Sequence, residues 1–124
     1  MESNSFTTPK SVLIIDDDDW FRVLVRGLLE GSGYKVFEAG SAAEGQRALH
    51  RERFDLLIAD IMMPEIPGFQ VIADARQEFP ALKILAVSGV GRYLRTARLL
   101  GADGTAEKPF RPECFKESVR FLLS

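Results

Sequence analysis

The feature that most constrains this chain is Leu56-Leu57-Ile58-Ala59, a continuous apolar segment that ends abruptly at Asp60. A run this short, with no polar alternation, suits a strand covered on both faces of a parallel sheet. A carboxylate at the carboxyl end of such a strand stands where open α/β sheets place their ligands. Pro64, Pro67 and Gly68 then force a loop before the next helix. On its own Asp60 reads as a turn cap. It reads differently once other strand ends carry matching chemistry.

Ser11-Val12-Leu13-Ile14-Ile15 is a first buried strand running into four acids, Asp16 to Asp19. Behind them Phe21, Leu24, Val25, Leu28 and Leu29 repeat at the spacing of one helix face. Asp18 or Asp19 suits the N-cap, where a carboxylate accepts free amide protons and faces the positive end of the helix dipole. Gly31 and Gly33 stop that helix. Tyr34 to Ala39 is a second strand, half alternating, as an edge strand would be. Ser41-Ala42-Ala43-Glu44 is a capping box opening a second helix to about Arg51. A third helix runs from Gly68 to Phe79 and stops before Pro80. Lys83 to Val87 is a fourth strand ending at Ser88-Gly89. A helix from about Arg92 to Leu100 is stopped by Gly101. Thr105-Ala106-Glu107 is a short fifth strand ending at Lys108-Pro109. Pro112 suits the first turn of a last helix, with Phe115, Val119 and Leu122 as its inward stripe.

Strand and helix thus alternate five times with short connections, which predicts α/β architecture: a parallel sheet with helices on both faces and right-handed crossovers. The 124 residues make one domain, read as a flexible tail over residues 1–9 and a folded unit over 10–124 with no second domain after it. A net charge of −2 leaves no basic surplus for gripping nucleic acid. Cys114 is the sole cysteine, so no internal disulfide forms. No apolar run approaches a membrane span, and the polar start is no signal peptide. These features predict a cytoplasmic protein with no membrane or nucleic-acid partner.

In a parallel sheet all carboxyl ends lie at one edge, so Asp16, Asp17, Asp60, Ser88, Gly89 and Lys108 should meet there. Crowded carboxylates raise one another's pKa unless a cation sits among them. Lys108 neutralises only part of that charge. A hard divalent ion with oxygen ligands is the natural remainder, and Mg²⁺ held by one or two carboxylates plus phosphate oxygen is a known pattern.

Four segments together resemble the receiver domains of two-component response regulators, the CheY-like superfamily. They are Val12-Leu13-Ile14-Ile15-Asp16-Asp17; Asp55 to Asp60 with Met63-Pro64 and Gly68; Ala86-Val87-Ser88-Gly89; and Lys108-Pro109-Phe110. The resemblance extends from about Ser11 to Leu123. It implies a five-stranded sheet of order 2-1-3-4-5 and a phosphoacceptor rather than a turnover enzyme. Asp60 would be the carboxylate nucleophile that forms an acyl phosphate. Asp17 would be a direct Mg²⁺ ligand, Asp16 would orient the metal's waters, and the Met62 backbone carbonyl would be a further ligand. Lys108 would pair with Asp60 and then with a phosphoryl oxygen. Ser88, aided by the Gly89 amide, would donate to the phosphoryl group. Lys108-Pro109 would be cis. The donor would be a histidine kinase or a histidine phosphotransfer protein, and output would pass to a protein partner.

The chain departs from the family pattern at Thr105 and Pro67, and Met62 and Val90 stand at positions that commonly tune hydrolysis of the acyl phosphate. Thr105 stands where the fifth strand commonly carries an aromatic that turns inward on activation, so the Gly89-Val90-Gly91 loop is the expected mover. Pro67 replaces a common acid and stiffens the loop after Asp60. Met62 and Val90, both apolar, cannot orient an attacking water, which predicts a long-lived phosphorylated state. Arg92, Arg95 and Arg98 line one face of the fourth helix, joined by Arg111, Lys116 and Arg120. That face reads either as solvated or as a docking surface for an acidic partner. Asp18, Asp19, His50 and Cys114 read as capping, solvated or packing residues, and Trp20 as a flank to the acids. Two competing functions are a small phosphatase of the haloacid-dehalogenase type, from the Asp16-Asp17-Asp18 start, and a pseudo-receiver that binds without phosphate. No acidic pair follows Lys108, which counts against the first. The intact acids, Ser88 and Lys108 count against the second.

Overall fold

Three apolar runs pair as central strands because almost nothing in them can face water on either side, and two strands of more polar sequence flank them. In the structure, a computed structural model that describes residues 8–124, they are β1 (Ser11–Ile15), β2 (Lys35–Ala39), β3 (Leu56–Asp60), β4 (Lys83–Ser88) and β5 (Gly104–Glu107). All pair in parallel, in the order β2-β1-β3-β4-β5. The half-alternating β2 is an edge, as its pattern predicts. Most of the expected tail, residues 1–7, lies outside the described residues.

Five helices cover the sheet: α1 (Asp19–Glu30), α2 (Ala42–Arg51), α3 (Gly68–Glu78), α4 (Gly91–Leu100) and α5 (Pro112–Leu123). Successive strand residues point to opposite faces, so each central strand feeds two cores. Leu13, Ile15, Leu57, Ala59, Ile84 and Ala86 meet α2, α3 and α4 on one side. Val12, Ile14, Leu56, Ile58, Leu85 and Val87 meet α1 and α5 on the other. Phe115 of α5 is fully buried and stacks on Phe110, ring centroids 4.4 Å apart. Emptying such a site to alanine costs about 3–5 kcal/mol.

The boundaries follow local chemistry. Asp18 is the N-cap of α1, accepting from the Trp20 and Phe21 amides. Ser41 caps α2 by accepting from the Glu44 amide. The Glu44 carboxylate reaches one residue further back than a standard capping box and accepts from Gly40 N–H. One expected core position is corrected: Leu24 is 55% exposed. Val25 and Leu29 are the fully buried pair of α1, and the neighbour of an inward residue is turned about 100° away from it.

Two glycines permit close approaches that set the site. A Cβ at Gly45 of α2 would lie 2.2 Å from Ile15 Cδ1, so only glycine lets α2 rest on the end of β1. A Cβ at Gly68 would lie 2.3 Å from the Asp60 carbonyl oxygen and 2.5 Å from Ile61 Cα. The start of α3 therefore seats directly on the backbone that carries Asp60, and Gly68 N–H donates to the Ile61 carbonyl at 3.0 Å.

Candidate functional site

At the carboxyl edge Asp16 is wholly buried, and every polar atom it carries is engaged. Its N–H donates to the Ala39 carbonyl at 3.1 Å. Its carbonyl accepts from Arg22 Nη1 at 2.6 Å. Oδ1 accepts from Asp18 N–H at 2.9 Å, and Oδ2 from Lys108 Nζ at 3.2 Å. Asp17 follows at the exposed rim. Asp18 has turned to cap α1. In a haloacid-dehalogenase-like arrangement this second acid of the D-x-D pair would be needed at the reaction centre, so its capping role counts against that reading.

Asp60 ends β3 at 6% exposure. Its Oδ1 accepts from Met62 N–H at 3.3 Å, and its Oδ2 lies 3.8 Å from Lys108 Nζ. Lys108 is thus closer to Asp16 than to Asp60, whereas the expected partner is Asp60. The reason is reach. The ammonium also sits over the Phe21 ring, 4.0 Å from its centroid, which holds it toward the α1 side of the cleft. Lys108-Pro109 is cis, as expected. Ser88, fully buried, accepts from Val90 N–H through its hydroxyl at 3.0 Å. That bond leaves the hydroxyl proton available to another acceptor.

Asp16, Asp17 and Asp60 can each offer a carboxylate oxygen such that all three atoms lie within 4.8 Å of one another. One ammonium faces three carboxylates. Burial pushes the Asp60 carboxyl up to about 6, and the Asp16 charge adds to the rise, while Lys108 and the Met62 amide pull it down. Burial also raises Asp16, against the Asp18 amide and Lys108. The cluster is short of positive charge, and a hard divalent cation with oxygen ligands fits that donor set.

The other predicted residues are more scattered. Met62 is 55% exposed beside the cleft. Gly89 lies at its rim, with no close neighbour where a Cβ would point. Thr105 lies on β5 away from the acids, its hydroxyl 3.4 Å from Arg98 Nη2 on α4. Trp20 is 82% exposed and covers little. Arg92, Arg95, Arg98, Arg111 and Arg120 are exposed, and Lys116 is half-buried. His50 pairs with Glu78 of α3 at 2.6 Å besides contacting the Gln46 carbonyl, so it is more than a partner for its own helix end. A groove of 670 Å³ at the opposite, amino edge of the sheet, lined in part by Phe54, Phe79 and Leu82, adjoins none of Asp16, Asp17 and Asp60. Two neighbours of the site do not follow from the sequence reading: Arg22, and Phe21, which reads there only as part of a helix face. The signal for Arg22 was its place one helical turn after Asp19.

Comparison with known proteins agrees with this geometry. The family model for the response regulator receiver domain matches residues 12–120. Response regulator Rre1 of Synechocystis is 35% identical over 122 residues, covering 94% of this chain and 52% of that protein. A CheY-like receiver domain protein from Methanospirillum hungatei superposes with a TM-score of 0.89 at 30% identity, covering 94% of each chain. Response regulator TrrA of Thermotoga maritima, solved in complex with Mg²⁺-BeF, gives 0.85 at 30% identity over 92% of this chain and 99% of that one. The chain spans about half the length of the curated relatives it matches. No helix among the described residues is long and apolar enough to cross a membrane. Strand order, acid placement and these matches converge: the chain belongs to the response regulator receiver domain family.

Proposed function

We propose that residues 10–124 form a phosphoacceptor switch of two-component signalling, modified on Asp60 and acting through protein contacts in the cytoplasm. The observation that carries this reading is the clustering of Asp16, Asp17 and Asp60 at one sheet edge, with Lys108 bridging two of them.

Asp16, Asp17 and Asp60, with the Met62 carbonyl, would hold a Mg²⁺ ion. When bound it supplies charge neutralisation for the incoming phosphoryl oxygens. The chain's own groups do the rest. A carboxylate oxygen of Asp60, raised only to about 6, is mostly ionised at neutral pH and attacks phosphorus. The phosphorus–nitrogen bond of a phosphohistidine breaks, and the imidazole leaves with that electron pair. Lys108 exchanges its carboxylate contact for a phosphoryl oxygen. Ser88 donates its free hydroxyl proton to another, beside the Gly89 amide. With Thr105 held to Arg98 rather than an aromatic on β5, the Gly89-Val90 turn and Gly91, the first residue of α4, carry the change into that helix. Output then leaves through Arg92, Arg95 and Arg98 to an acidic protein surface. Several curated relatives are named transcriptional regulators, and this chain matches only part of each. The receiver unit itself contacts protein, not nucleic acid.

The deciding test is treatment with a small-molecule phosphodonor and Mg²⁺, followed by mass spectrometry. A base-labile phosphate on Asp60 in the parent, absent from Asp60→Asn, is expected. A pseudo-receiver would show neither, and steady turnover of a chromogenic phosphate ester would favour the phosphatase reading.

A further inference from the structure

We infer that Arg22 is a positioning residue for the metal-binding acids, acting on Asp17 from outside the cluster through the Asp16 carbonyl; this rests on the Mg²⁺ reading above. Arg22 rises from the first turns of α1 with its side chain only 15% exposed. Its guanidinium spends donors in three directions. Nη1 donates to the Asp16 carbonyl at 2.6 Å. Nε donates to Glu38 Oε1 on β2 at 3.1 Å. Nη2 donates to Asp19 Oδ1 at 2.5 Å. The Glu38 carboxylate is itself fixed from the other side, Oε2 accepting from Arg26 Nη1 at 2.9 Å. A planar fork held at three points has no freedom to swing.

The position of that fork matters because of what it grips. The Asp16 carbonyl belongs to the peptide that leads into Asp17, so fixing it fixes the direction in which Asp17 leaves β1. Asp16 has its own anchors in Lys108 and the Asp18 amide. Asp17 makes no side-chain hydrogen bond among the described residues and is exposed, so backbone alone aims its carboxylate. Gly40, at the end of β2, completes the seat. A Cβ there would lie 3.3 Å from Arg22 Nη1, a tight approach that would push the guanidinium by a few tenths of an ångström.

Charge and positioning predict opposite results. A guanidinium beside an acidic cluster repels a divalent cation, so if Arg22 acted only as a charge its removal would tighten Mg²⁺ binding. If it aims Asp17, removal loosens binding despite the lost repulsion. The test is Mg²⁺ titration by calorimetry and by Trp20 fluorescence, well below the melting temperature, on the parent, Arg22→Ala, Arg22→Lys and Glu38→Gln. Arg22→Ala should bind Mg²⁺ about 10–100-fold more weakly, the scale of lost outer contacts around metal ligands. Arg22→Lys, which keeps the charge but not the fork, should recover only part of that loss. Glu38→Gln should weaken binding in the same direction. Melting in EDTA separates any loss of fold. Should Arg22→Ala fail to fold, Arg22→Lys decides, and parental affinity in it overturns the inference. A parent that binds Mg²⁺ with an Arg22→Ala that binds as tightly or more tightly overturns this inference alone. A parent that binds no Mg²⁺ overturns the switch reading together with it.

Discussion

Asp60→Asn should melt at a higher temperature than the parent in EDTA near pH 7.5. The parent must hold an ionised carboxylate at 6% exposure beside a second buried acid, with one ammonium shared between them. The rise of its carboxyl from 3.8 to about 6 is about two pH units, or about 3 kcal/mol at 1.36 kcal/mol per unit. Asparagine keeps the shape and the acceptor for the Met62 amide; the Lys108 attraction is already contained in that shift, and burying the amide group offsets part of it, so the net gain is about 1–3 kcal/mol. For a domain of this size that is about 3–10 °C. The sign follows from proton binding. A carboxyl whose pKa is raised in the folded state holds more protons there than in the unfolded chain between about pH 4 and 6. Its contribution to stability is therefore full below pH 4 and is lost as pH rises through about 6. The gap between variant and parent should open across that window and close at pH 4. Saturating Mg²⁺ should narrow it at pH 7.5 by stabilising the parent more than the variant. Differential scanning calorimetry over pH 4–8 in EDTA and in Mg²⁺ reads all of this. Coincident melting of the two proteins at pH 7.5 in EDTA would refute the reasoning.

Four further outcomes are expected. Gly68→Ala should cost at least about 2–4 kcal/mol in urea unfolding, because its Cβ meets backbone at Asp60 and Ile61 that cannot give way. Gly45→Ala meets the Ile15 side chain, its Cβ 2.2 Å from Cδ1 and 2.5 Å from Cγ1, so it should cost about 1–3 kcal/mol, and adding Ile15→Val, which removes Cδ1 but keeps Cγ1, should return only part of that. His50→Gln should lose stability relative to the parent in acid. The Glu78 carboxylate, then the Gln46 carbonyl, raise the imidazole above 6.5, so that contribution is full below pH 6.5 and disappears as pH rises through the raised value. Met62→Asn should shorten the lifetime of the phosphorylated state, measured by phosphate release, since a polar side chain there can orient water where methionine cannot.

The sheet was readable because its three central strands are apolar on both faces and each runs into a polar residue at its carboxyl end. Asp16, Asp60, Ser88 and Lys108 were found by that rule alone, since a parallel sheet collects such ends at one edge. What stayed hidden depends on angle and reach. Leu24 and Val25 are both apolar neighbours on α1, and periodicity could not say which would face the sheet. Lys108 could be assigned to a group of acids, but not to Asp16 over Asp60, because the choice turns on the Phe21 ring beneath it. Arg22 and Glu38 lie 16 residues apart on different elements, and the His50–Glu78 contact spans 28. No local pattern joins such pairs, so only the packed chain reveals them.

The bond between Lys108 and Asp16 joins residues 92 positions apart, and it carries a consequence for synthesis. A ribosome still holding Lys108 in its tunnel has already released every acid of the cluster. The emerging segment then displays carboxylates with no lysine to answer them and no final strand to close the sheet. On the phosphoacceptor reading, competence therefore waits for Lys108 and β5 to emerge, and a receiver unit stopped short of them has no ammonium to answer its acids.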